Sequence, residues 1–326
     1  MMLVAAALLT MVGCKQANVE SDVTTPAEDQ AVVYRIQEVS PEALVAIYDA
    51  LGVKADGKVA VKISTGEAGN PNYLKPELIG QFVNHVGGQL VECNTAYAGK
   101  RTSNDEHRAV IEQHGFNTIG GVDLMDAEGE MQIPVVDTTH IKYDIVGSHL
   151  ANYDFMVNLA HFKGHPMGGL GGALKNASIG VASSNGKAYI HTAGRQQVVE
   201  GLWNNVDDQD GFLESMASAA QAVHNFFTAR KGIVYIAVMN NMSVDCDCAA
   251  TPSEVKLKDY GILSSTDPVA LDQACADIIF NMQPSEGNDN APMIERINSR
   301  HGMHTIEHAA SIGLGTRNYR IVDVVR

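Results

Sequence analysis

The stretch from Tyr153 to Lys175 decides the fold, and it reads Y-D-F-M-V-N-L-A-H-F-K-G-H-P-M-G-G-L-G-G-A-L-K. It begins with an uninterrupted apolar run, Tyr153 to Leu159, which is typical of a central strand in a parallel sheet. A glycine-rich segment follows directly, and Ala173 to Ala182 is predicted to be a short helix. Ligands of open α/β sheets bind beyond the carboxyl ends of the strands. The glycine-rich segment is therefore predicted to hold a ligand.

Helix and strand patterns alternate along the rest of the chain. A second buried strand is predicted over Gly232 to Met239, after a long amphipathic helix from Gly211 to Arg230. Such alternation favours the α/β class, with a mostly parallel sheet and helices on both of its faces. Residues 31–326 contain no repeat of fixed period and no clear interdomain linker. We therefore expect a single α/β domain over residues 31–326, or two closely packed subdomains.

The glycines of this segment allow the backbone to approach a ligand closely and to present its N–H groups. Their spacing matches neither the dinucleotide fingerprint G-x-G-x-x-G nor the phosphate loop G-x-x-x-x-G-K-[ST]. The class of ligand therefore stays open. The residues predicted to bind it are Gly168, Gly169, Gly171, Gly172, Lys163 and Asn176.

Two histidines and two lysines accompany the glycines. His161 and His165 are four residues apart, but Pro166 makes a helix here unlikely to form. Taken singly, a histidine is more often a hydrogen-bonded structural side chain than a ligand. Lys163 and Lys175 are either solvated charges or ligand contacts, and Lys175 is placed to meet a phosphate, a carboxylate or a carbonyl carbon.

A second polar cluster, Asp245-Cys246-Asp247-Cys248, follows the second buried strand. Thiolates favour soft or borderline metals, but a C-x-C pair supplies only two of the four ligands of a tetrahedral site. The histidines of the glycine-rich segment can complete the set. Two alternatives stay open, a C-x-C disulfide and two thiols that merely line a polar turn. The predicted ligands of a zinc or iron ion are Cys246, Cys248, His161 and His165.

Several other polar residues are predicted to be structural. Cys93 and Cys275 lie in apolar contexts, where a buried inert thiol is expected. Ser40 and Asp267 each precede a proline, and each is predicted to cap a helix. Asp272 lies on the apolar face of that helix and needs a partner, for which we expect a buried lysine or a histidine. The C-terminal part of the chain contains His301, His304 and His308. Histidines in such a pattern lie on an exposed helix face more often than in a metal site.

The first 14 residues form a short apolar stretch that ends at Gly13-Cys14. It is too short to span a bilayer, and it has the length of a signal-peptide core. Gly13-Cys14 resembles a bacterial lipobox, which implies cleavage before Cys14 and lipidation of its thiol. The alternative is an ordinary cleaved secretory peptide. Residues 15–30 are polar and are predicted to be a flexible tether. We therefore expect a location in the bacterial cell envelope, on the periplasmic or extracellular face, with Cys14 anchoring the chain to the membrane.

The charge of the chain limits its partners. The formal net charge is -15, the isoelectric point is near 5.1, and no basic run is present. Affinity for nucleic acid depends on clustered lysine and arginine, so a nucleic-acid partner is not expected. The expected partners are a small molecule or a metal ion, together with the membrane.

Several motifs in order resemble a known family, the domain of unknown function 362. They are N-L-A-H-F-K-G-H at 158–165, G-G-A-L-K-N at 171–176, D-C-D-C at 245–248, G-I-L-S-S-T-D-P-V-A-L-D-Q-A at 261–274 and I-G-L-G at 312–315. The resemblance covers about residues 58–326. Many relatives look to carry a ferredoxin-type insert with C-x-x-C runs, and this chain has none, so the resemblance does not imply such a cluster here. It implies a fold and motif positions, but no reaction.

A weaker likeness involves His165 and Lys175, which are ten residues apart across the glycines. A similar arrangement occurs in the lactate racemase family, where it resembles a site that holds a nickel-pincer nucleotide on a lysine. The leading hypothesis is a lipoprotein with a metal or anionic-ligand site, its reaction unknown. If it is an enzyme, His165 is the ligand or general base and Lys175 the electrostatic or covalent partner. The alternatives are a non-catalytic binding or redox-carrier lipoprotein and a racemase-like or isomerase-like enzyme.

Overall fold

The computed structural model describes residues 30–326. The predicted signal peptide and lipobox over residues 1–14, with Cys14, and all but the last residue of the predicted tether lie outside the described residues. The strands are β1 (Ala31–Ile36), β2 (Val59–Lys62), β3 (Gly88–Glu92), β4 (Val122–Leu124), β5 (Glu130–Pro134), β6 (Tyr143–Gly147), β7 (Phe155–His161), β8 (Lys163–His165), β9 (Gly169–Gly171), β10 (Gly232–Met239), β11 (Gly261–Ser265) and β12 (Tyr319–Asp323). The α-helices are α1 (Pro41–Asp49), α2 (Pro76–Val86), α3 (Asn104–Gln113), α4 (Ala173–Ala177), α5 (Ser184–His191), α6 (Gln209–Thr228), α7 (Pro268–Asn281), α8 (Ala291–Ser299) and α9 (Met303–Ser311).

An eight-stranded sheet forms the centre of the fold, in the order β12-β1-β11-β10-β7-β2-β3-β4. The run from β10 through β7, β2 and β3 to β4 is parallel, and β1 pairs with β12 in parallel as well. Only β11 runs against its neighbours β1 and β10. Two small antiparallel pairs, β5-β6 and β8-β9, stand apart from this sheet. The predicted class, α/β with a mostly parallel sheet, is confirmed.

Helices cover both faces of the sheet. Because successive residues of a strand point to opposite faces, β10 contributes to two separate hydrophobic cores. Val234, Ile236 and Val238 face the core that α1 and α2 cover. Tyr235, Ala237 and Met239 face the other core, which α6 and α7 cover. This burial on both faces explains why the central strands are almost continuously apolar.

Two helix starts confirm predictions made from local sequence. Ser40 accepts a hydrogen bond from the Ala43 N–H at 3.1 Å and caps α1, whose first residue is a proline. Asp267 accepts bonds from Val269 and Ala270, both at 2.9 Å, and caps α7. In each case the side chain satisfies backbone N–H groups that have no partner within the helix.

Around the glycine-rich segment the structure differs from the prediction. The segment is not a loop, because Lys163–His165 and Gly169–Gly171 pair as an antiparallel hairpin. The predicted helix of ten residues is the short helix α4, which ends at Ala177, and a second helix, α5, follows at Ser184. The Ser178 hydroxyl bonds to the Leu174 carbonyl at 2.9 Å and takes a main-chain acceptor at the end of α4. Among residues 30–326, no helix has the length and apolar character needed to cross a membrane.

Candidate functional site

A cavity lies at the carboxyl edge of the parallel strands, where β2 and β7 are neighbours. Lys62 ends β2, His161 ends β7, and Asp247 follows β10 in the turn beyond the sheet. In the sheet, the chain proceeds from β2 to β3 on one side of this point and from β7 to β10 on the other. This is therefore the topological switch point, at which open α/β sheets form their ligand-binding crevice. The cavity volume is about 60 Å³. A water molecule needs roughly 10–15 Å³ on this scale, so there is room for a group of only a few atoms.

The glycine-rich hairpin and the cysteine-containing turn are in direct contact. The Gly164 N–H donates to the Ser243 carbonyl at 2.9 Å. A Cβ atom at Gly164 would lie 1.9 Å from the Val244 carbonyl oxygen, so this contact between two backbones requires glycine. Lys163 then reaches across to Asp247, with 2.8 Å between Nζ and the carboxylate. The two segments, each of which follows a predicted buried strand, therefore line the same cavity.

Basic side chains outnumber carboxylates around the cavity. Two acidic side chains, Glu92 and Asp247, line it. Opposite them are five basic side chains, Lys62, Arg101, Lys163, Lys175 and Lys187. The whole chain carries a net charge of -15, so this local excess of positive charge is opposite in sign to the protein around it.

Lys175, at the end of the glycine-rich segment, lines the cavity with its ammonium group. Within residues 30–326 that ammonium has no hydrogen-bond acceptor, whereas the Lys62 ammonium donates to Asn176 Oδ1 at 3.1 Å. Burial and the neighbouring charge of Lys163 lower the pKa of Lys175 to about 7. Burial lowers the pKa of Lys62 to about 8, against the opposing effect of Glu92. Lys175 is partly exposed, so an anion that enters the cavity can reach its ammonium group, and the anion's charge would favour the protonated form.

Arg101 supplies a second basic group with unused capacity. Its Nε bonds to Glu67 at 3.3 Å and its Nη1 to Glu92 at 3.1 Å. Its Nη2 is buried without an acceptor in the described part of the chain. Glu92 is held in turn by Thr65 at 2.7 Å and by His107 at 3.2 Å. Burial opposes ionisation of Glu92, but the bond from His107 and the charge of Arg101 outweigh it and lower its pKa.

His161 does not join the cysteines. Its Nε2 bonds to the Asn240 carbonyl at 2.6 Å, and its Nδ1 lies 3.3 Å from Asp247. Both ring nitrogens therefore have protein partners, and the side chain connects the end of β7 to the turn after β10. Burial and the charge of Lys163 lower its pKa. His161 was predicted to be a metal ligand, and in this structure it is not part of the group formed by His165, Cys246 and Cys248.

His165 does lie beside Cys246 and Cys248. One potential ligand atom from each lies within 4.8 Å of the others, so the three side chains could hold a metal ion once the cysteines are thiolates. In this structure the cysteines are joined by a disulfide. His165 Nδ1 accepts bonds from the backbone N–H groups of Met167 at 3.2 Å and Gly168 at 2.9 Å. Burial holds the pKa of His165 well below its usual value.

These two bonds assign the tautomer of His165. A neutral imidazole whose Nδ1 accepts must carry its proton on Nε2, so the free end of the ring is a donor. A general base needs a free lone pair, and a metal ligand needs one as well. The predicted roles of His165 as base or ligand therefore require it to give up the bonds from Met167 and Gly168.

The four predicted glycines divide into two pairs. Gly171 and Gly172 line the cavity. Gly168 and Gly169 do not line it; a Cβ atom at Gly169 would lie 2.7 Å from Gly302, on the side of α8 and α9. Asn176 also lines the cavity, where its Oδ1 accepts a bond from the Lys62 ammonium and its Nδ2 donates to Asn158 at 2.7 Å.

Asp272 contacts the start of α4, which adjoins the cavity. Its carboxylate accepts the N–H groups of Ala173 at 2.7 Å and Leu174 at 2.9 Å, the first residues of α4. The expected partner, a lysine or a histidine, is therefore replaced by backbone. Burial raises the pKa of Asp272 to about 6, although these two bonds oppose the rise. A Cβ atom at Gly172 would lie 2.3 Å from this carboxylate, so the glycine is required for the contact.

The sequence-based prediction missed several residues of the site. Lys62 and Glu92 end the buried strands β2 and β3, and a charge at the end of a buried strand is the signal that could have identified them. Arg101 and Lys187 come from segments without such a signal. The predicted thiols Cys93 and Cys275 are buried and free, as expected. Away from the cavity, three histidines pair with carboxylates: His301 with Asp210, His304 with Glu214 and His308 with Asp137.

Comparison with known proteins identifies the family. The profile of the family described as domain of unknown function (DUF362) matches residues 59–277, which is more than half of the chain. The chain therefore belongs to the DUF362 family, as its motifs indicated. No match is found among curated proteins.

Two solved structures are similar at low identity. One is the lactate racemase apoprotein from Thermoanaerobacterium thermosaccharolyticum, with 15% identity and a TM-score of 0.42 over 77% of this chain and 57% of that one. The other is a protein from Thermotoga maritima, with 12% identity and a TM-score of 0.41 over 72% of this chain and 57% of that one. The chain thus spans less than two thirds of the length of either protein. Likeness at this level carries no conclusion about activity.

Proposed function

We propose that this member of the DUF362 family binds a small anion in the cavity at the carboxyl edge of its sheet. Two basic groups of the cavity carry the proposal: Arg101 Nη2, which is buried without an acceptor among residues 30–326, and the ammonium of the partly exposed Lys175. Both line the same cavity, in which five basic side chains face two carboxylates. An oxyanion there would accept hydrogen bonds from both and would balance the excess charge.

The size of the cavity limits the anion. A volume of about 60 Å³ accommodates a carboxylate, a sulfate-like or a phosphate-like group, and larger parts of a ligand would have to extend outward. Gly171 and Gly172 keep side chains out of this space. Asn176 holds the Lys62 ammonium by a bond of 3.1 Å and so orients a further basic group at the cavity.

The affinity is expected to depend on pH through Lys175. Its pKa is lowered to about 7 in the unliganded protein, and only the protonated form attracts an anion. Binding is therefore strongest well below pH 7 and weakens as the pH rises through and above it. While the liganded amine stays protonated, each pH unit above 7 lowers the affinity by about tenfold.

Sulfate is a suitable probe, because its charge is constant over this range. Calorimetric titration at constant ionic strength, at pH 6.5 and pH 8.5, should give saturable binding that is about tenfold or more weaker at the higher pH. Lys175→Gln should remove most of the affinity and most of its pH dependence, and the remaining dependence is expected from Lys62, whose pKa is about 8. Lys231→Gln is the matched control, because Lys231 precedes β10 at the opposite edge of the sheet and pairs with Asp56. Equal binding by the two variants, or no saturable binding, would contradict the proposal. Acetate in a parallel series tests whether a carboxylate fits.

A metal ion, zinc or iron, is the second candidate ligand, favoured by the closeness of His165, Cys246 and Cys248. Two thiolates and one imidazole would leave a fourth position open, as in catalytic zinc sites. The fit is incomplete, because the cysteines are oxidised and His165 Nδ1 already accepts two backbone bonds. Zinc analysis of reduced, dialysed protein tests this candidate. If the site binds zinc, the wild type should retain one equivalent of the metal and Cys246→Ser should lose it. Retention of zinc by the variant would rule this site out.

We also propose that the protein is anchored in the cell envelope through Cys14. The support is the apolar stretch that ends at Gly13-Cys14, together with a disulfide of the kind that persists in oxidising compartments. Cys14→Ser should move the expressed chain from the membrane fraction to the soluble fraction. An unchanged distribution would contradict the anchor.

A further inference from the structure

The disulfide between Cys246 and Cys248 contributes little to the stability of the fold. The two residues are separated by only one other, Asp247, so the bond joins a short turn to itself. A disulfide stabilises a fold mainly by restricting the unfolded chain, and this effect grows with the length of the loop that it closes. It also connects no two elements of the fold. A stabilising role therefore does not explain its presence.

The position of the pair is that of a reactive group. Both cysteines line the cavity, and they differ in access: Cys246 is 2% exposed, whereas Cys248 is partly exposed. The chain offers a contrast in Cys93 and Cys275, which are free, buried thiols. A sulfur that solvent can reach is the one that an external thiolate can attack.

The surroundings suit the departure of a thiolate. Asp247, between the two cysteines, is held by Lys163 at 2.8 Å, so the turn is fixed while its own charge is neutralised. His165 presents an Nε2–H donor, because its Nδ1 accepts the Met167 and Gly168 N–H groups. The ligand atoms of His165 and both cysteines lie within 4.8 Å of one another. An N–H donor on this histidine and the lysines that line the cavity would stabilise negative charge on a departing sulfur.

We propose that Cys246 and Cys248 form a redox-active couple that exchanges electrons with a slender dithiol. A thiolate of the dithiol attacks Cys248 Sγ, the disulfide breaks, and Cys246 leaves as a thiolate that accepts a hydrogen bond from His165. The second thiol of the dithiol then attacks the dithiol's own sulfur in the mixed disulfide and releases Cys248 as a thiolate. The protein gains two electrons and two protons, and the dithiol becomes a disulfide. This activity is separate from anion binding and needs no metal.

Redox titration with reduced and oxidised dithiothreitol tests the couple. Native protein equilibrated at each ratio is alkylated and analysed by peptide mass spectrometry. We expect reversible two-electron reduction, with alkylation at Cys246 and Cys248 while Cys93 and Cys275 stay unmodified until the protein is unfolded. Reduction that requires unfolding would overturn the proposal. So would stoichiometric capture of the reduced pair by added zinc, which favours the metal candidate.

Two pairs of variants test the assigned roles. In the single-thiol variants, Cys248 of Cys246→Ser should react with an aromatic disulfide about tenfold or more faster than Cys246 of Cys248→Ser, because of its exposure. Equal rates would refute the assignment of Cys248 as the attacked sulfur.

His165→Phe should slow reduction by dithiothreitol about tenfold, and His165→Gln, which retains an N–H donor, should restore most of the rate. His165 is a positioning residue in this step, and equal rates at matched thermal stability would refute its role. Sulfate binding by Cys246→Ser shows separately whether the anion site survives.

Discussion

Two clusters of charged side chains in this protein differ in how their charges are balanced. The histidine network, defined as His140, His304, His308, Glu214 and Asp137, lies where α6 and α9 meet the segment after β5. Glu214 accepts from His140 at 2.7 Å and from His304 at 2.9 Å, and Asp137 accepts from His308 at 2.9 Å. The cavity cluster instead has five basic groups for two carboxylates, and the Lys175 ammonium has no acceptor among the described residues.

The difference supports the proposal that the cavity cluster binds a ligand. The side chains of the histidine network are partly exposed, so solvent screens their charges and their mutual pairing satisfies them. Arg101 is 1% exposed, so water cannot take over the hydrogen bond that its Nη2 lacks. A buried donor without a partner is costly, and a bound ligand could accept its hydrogen bond. Four changes test this comparison, beginning with the largest expected effect.

Arg101→Met should have the largest effect, because it leaves Glu67 and Glu92 buried without their shared cation. Breaking a buried ion pair from one side costs about 3–5 kcal/mol. Urea unfolding at pH 7 measures the loss. Arg108→Met is the control, because Arg108 forms an exposed pair with Asp105, and its unfolding midpoint should stay within error of the wild type. Equal losses in the two variants would remove the contrast between buried and exposed charge.

Asp144 provides a pH test of buried charge without a partner. Both carboxyl oxygens of Asp144 are buried, and neither has a hydrogen-bond partner among residues 30–326. Burial raises the pKa of Asp144 to about 7. The folded state therefore holds a proton that the unfolded state has released, so the stability from this group is full below pH 4 and is lost as the pH rises to 7. The free energy of unfolding of the wild type should fall by about 2–4 kcal/mol relative to Asp144→Asn across this range.

Urea unfolding of both proteins at pH 4, 5.5 and 7 gives this difference directly. Other carboxylates affect both proteins alike, so only the difference between them reports on Asp144. Parallel curves would show that the carboxyl finds a partner in solution.

Gly172→Ala tests the joint between the hairpin and α7. The added Cβ would lie 2.3 Å from the Asp272 carboxylate, which holds the start of α4, and overpacking of this kind costs about 1–3 kcal/mol. Gly168→Ala is the matched control, because its Cβ would meet ordinary contacts at 3.4 Å or more. Sulfate affinity should fall with Gly172→Ala and stay near the wild-type value with Gly168→Ala. The reverse order would mean that Gly168 and Gly169 form the binding surface.

His304→Gln should have the smallest effect. The pair with Glu214 is partly exposed, with side-chain exposures of 32% and 23%, and such pairs contribute about 0–1 kcal/mol. Thermal unfolding at pH 6 and pH 8 should differ little between this variant and the wild type. A large loss at pH 6 would show that the histidine network stabilises the fold as strongly as the cavity cluster does.

Predictions that depended on neighbouring residues agree with the structure. Ser40 and Asp267 cap helices that begin within three residues of them, and β7 and β10 are buried strands where the apolar runs predicted them. The extent of the segment after Gly172 was predicted less well. It forms two helices, α4 and α5, because the hydroxyl of Ser178 bonds back to the last turn of α4 and a new cap follows at Ser183.

Interactions between distant residues could not be predicted in the same way. Asp272 meets backbone N–H groups nearly a hundred positions earlier in the chain, and no local pattern indicates that partner. Arg101 joins the cavity through Glu67 and Glu92, which lie on other segments. His161 was expected beside the cysteines, yet it turns to Asp247 and Asn240, since the geometry of the turn after β10 decides which atoms it reaches.

Hydrophobic periodicity and glycine content act over short distances along the chain, so they were enough to predict the α/β class, the two central strands and the two segments that follow them. The folded structure, in contrast, sets which charges face one another. It brought Lys62, Arg101 and Lys175 to one cavity, paired His161 with Asp247, and set His165 beside a disulfide. The physical reason is that Coulomb interactions, hydrogen bonds and desolvation depend on distances through space and on burial, and both exist only once the sheet has assembled.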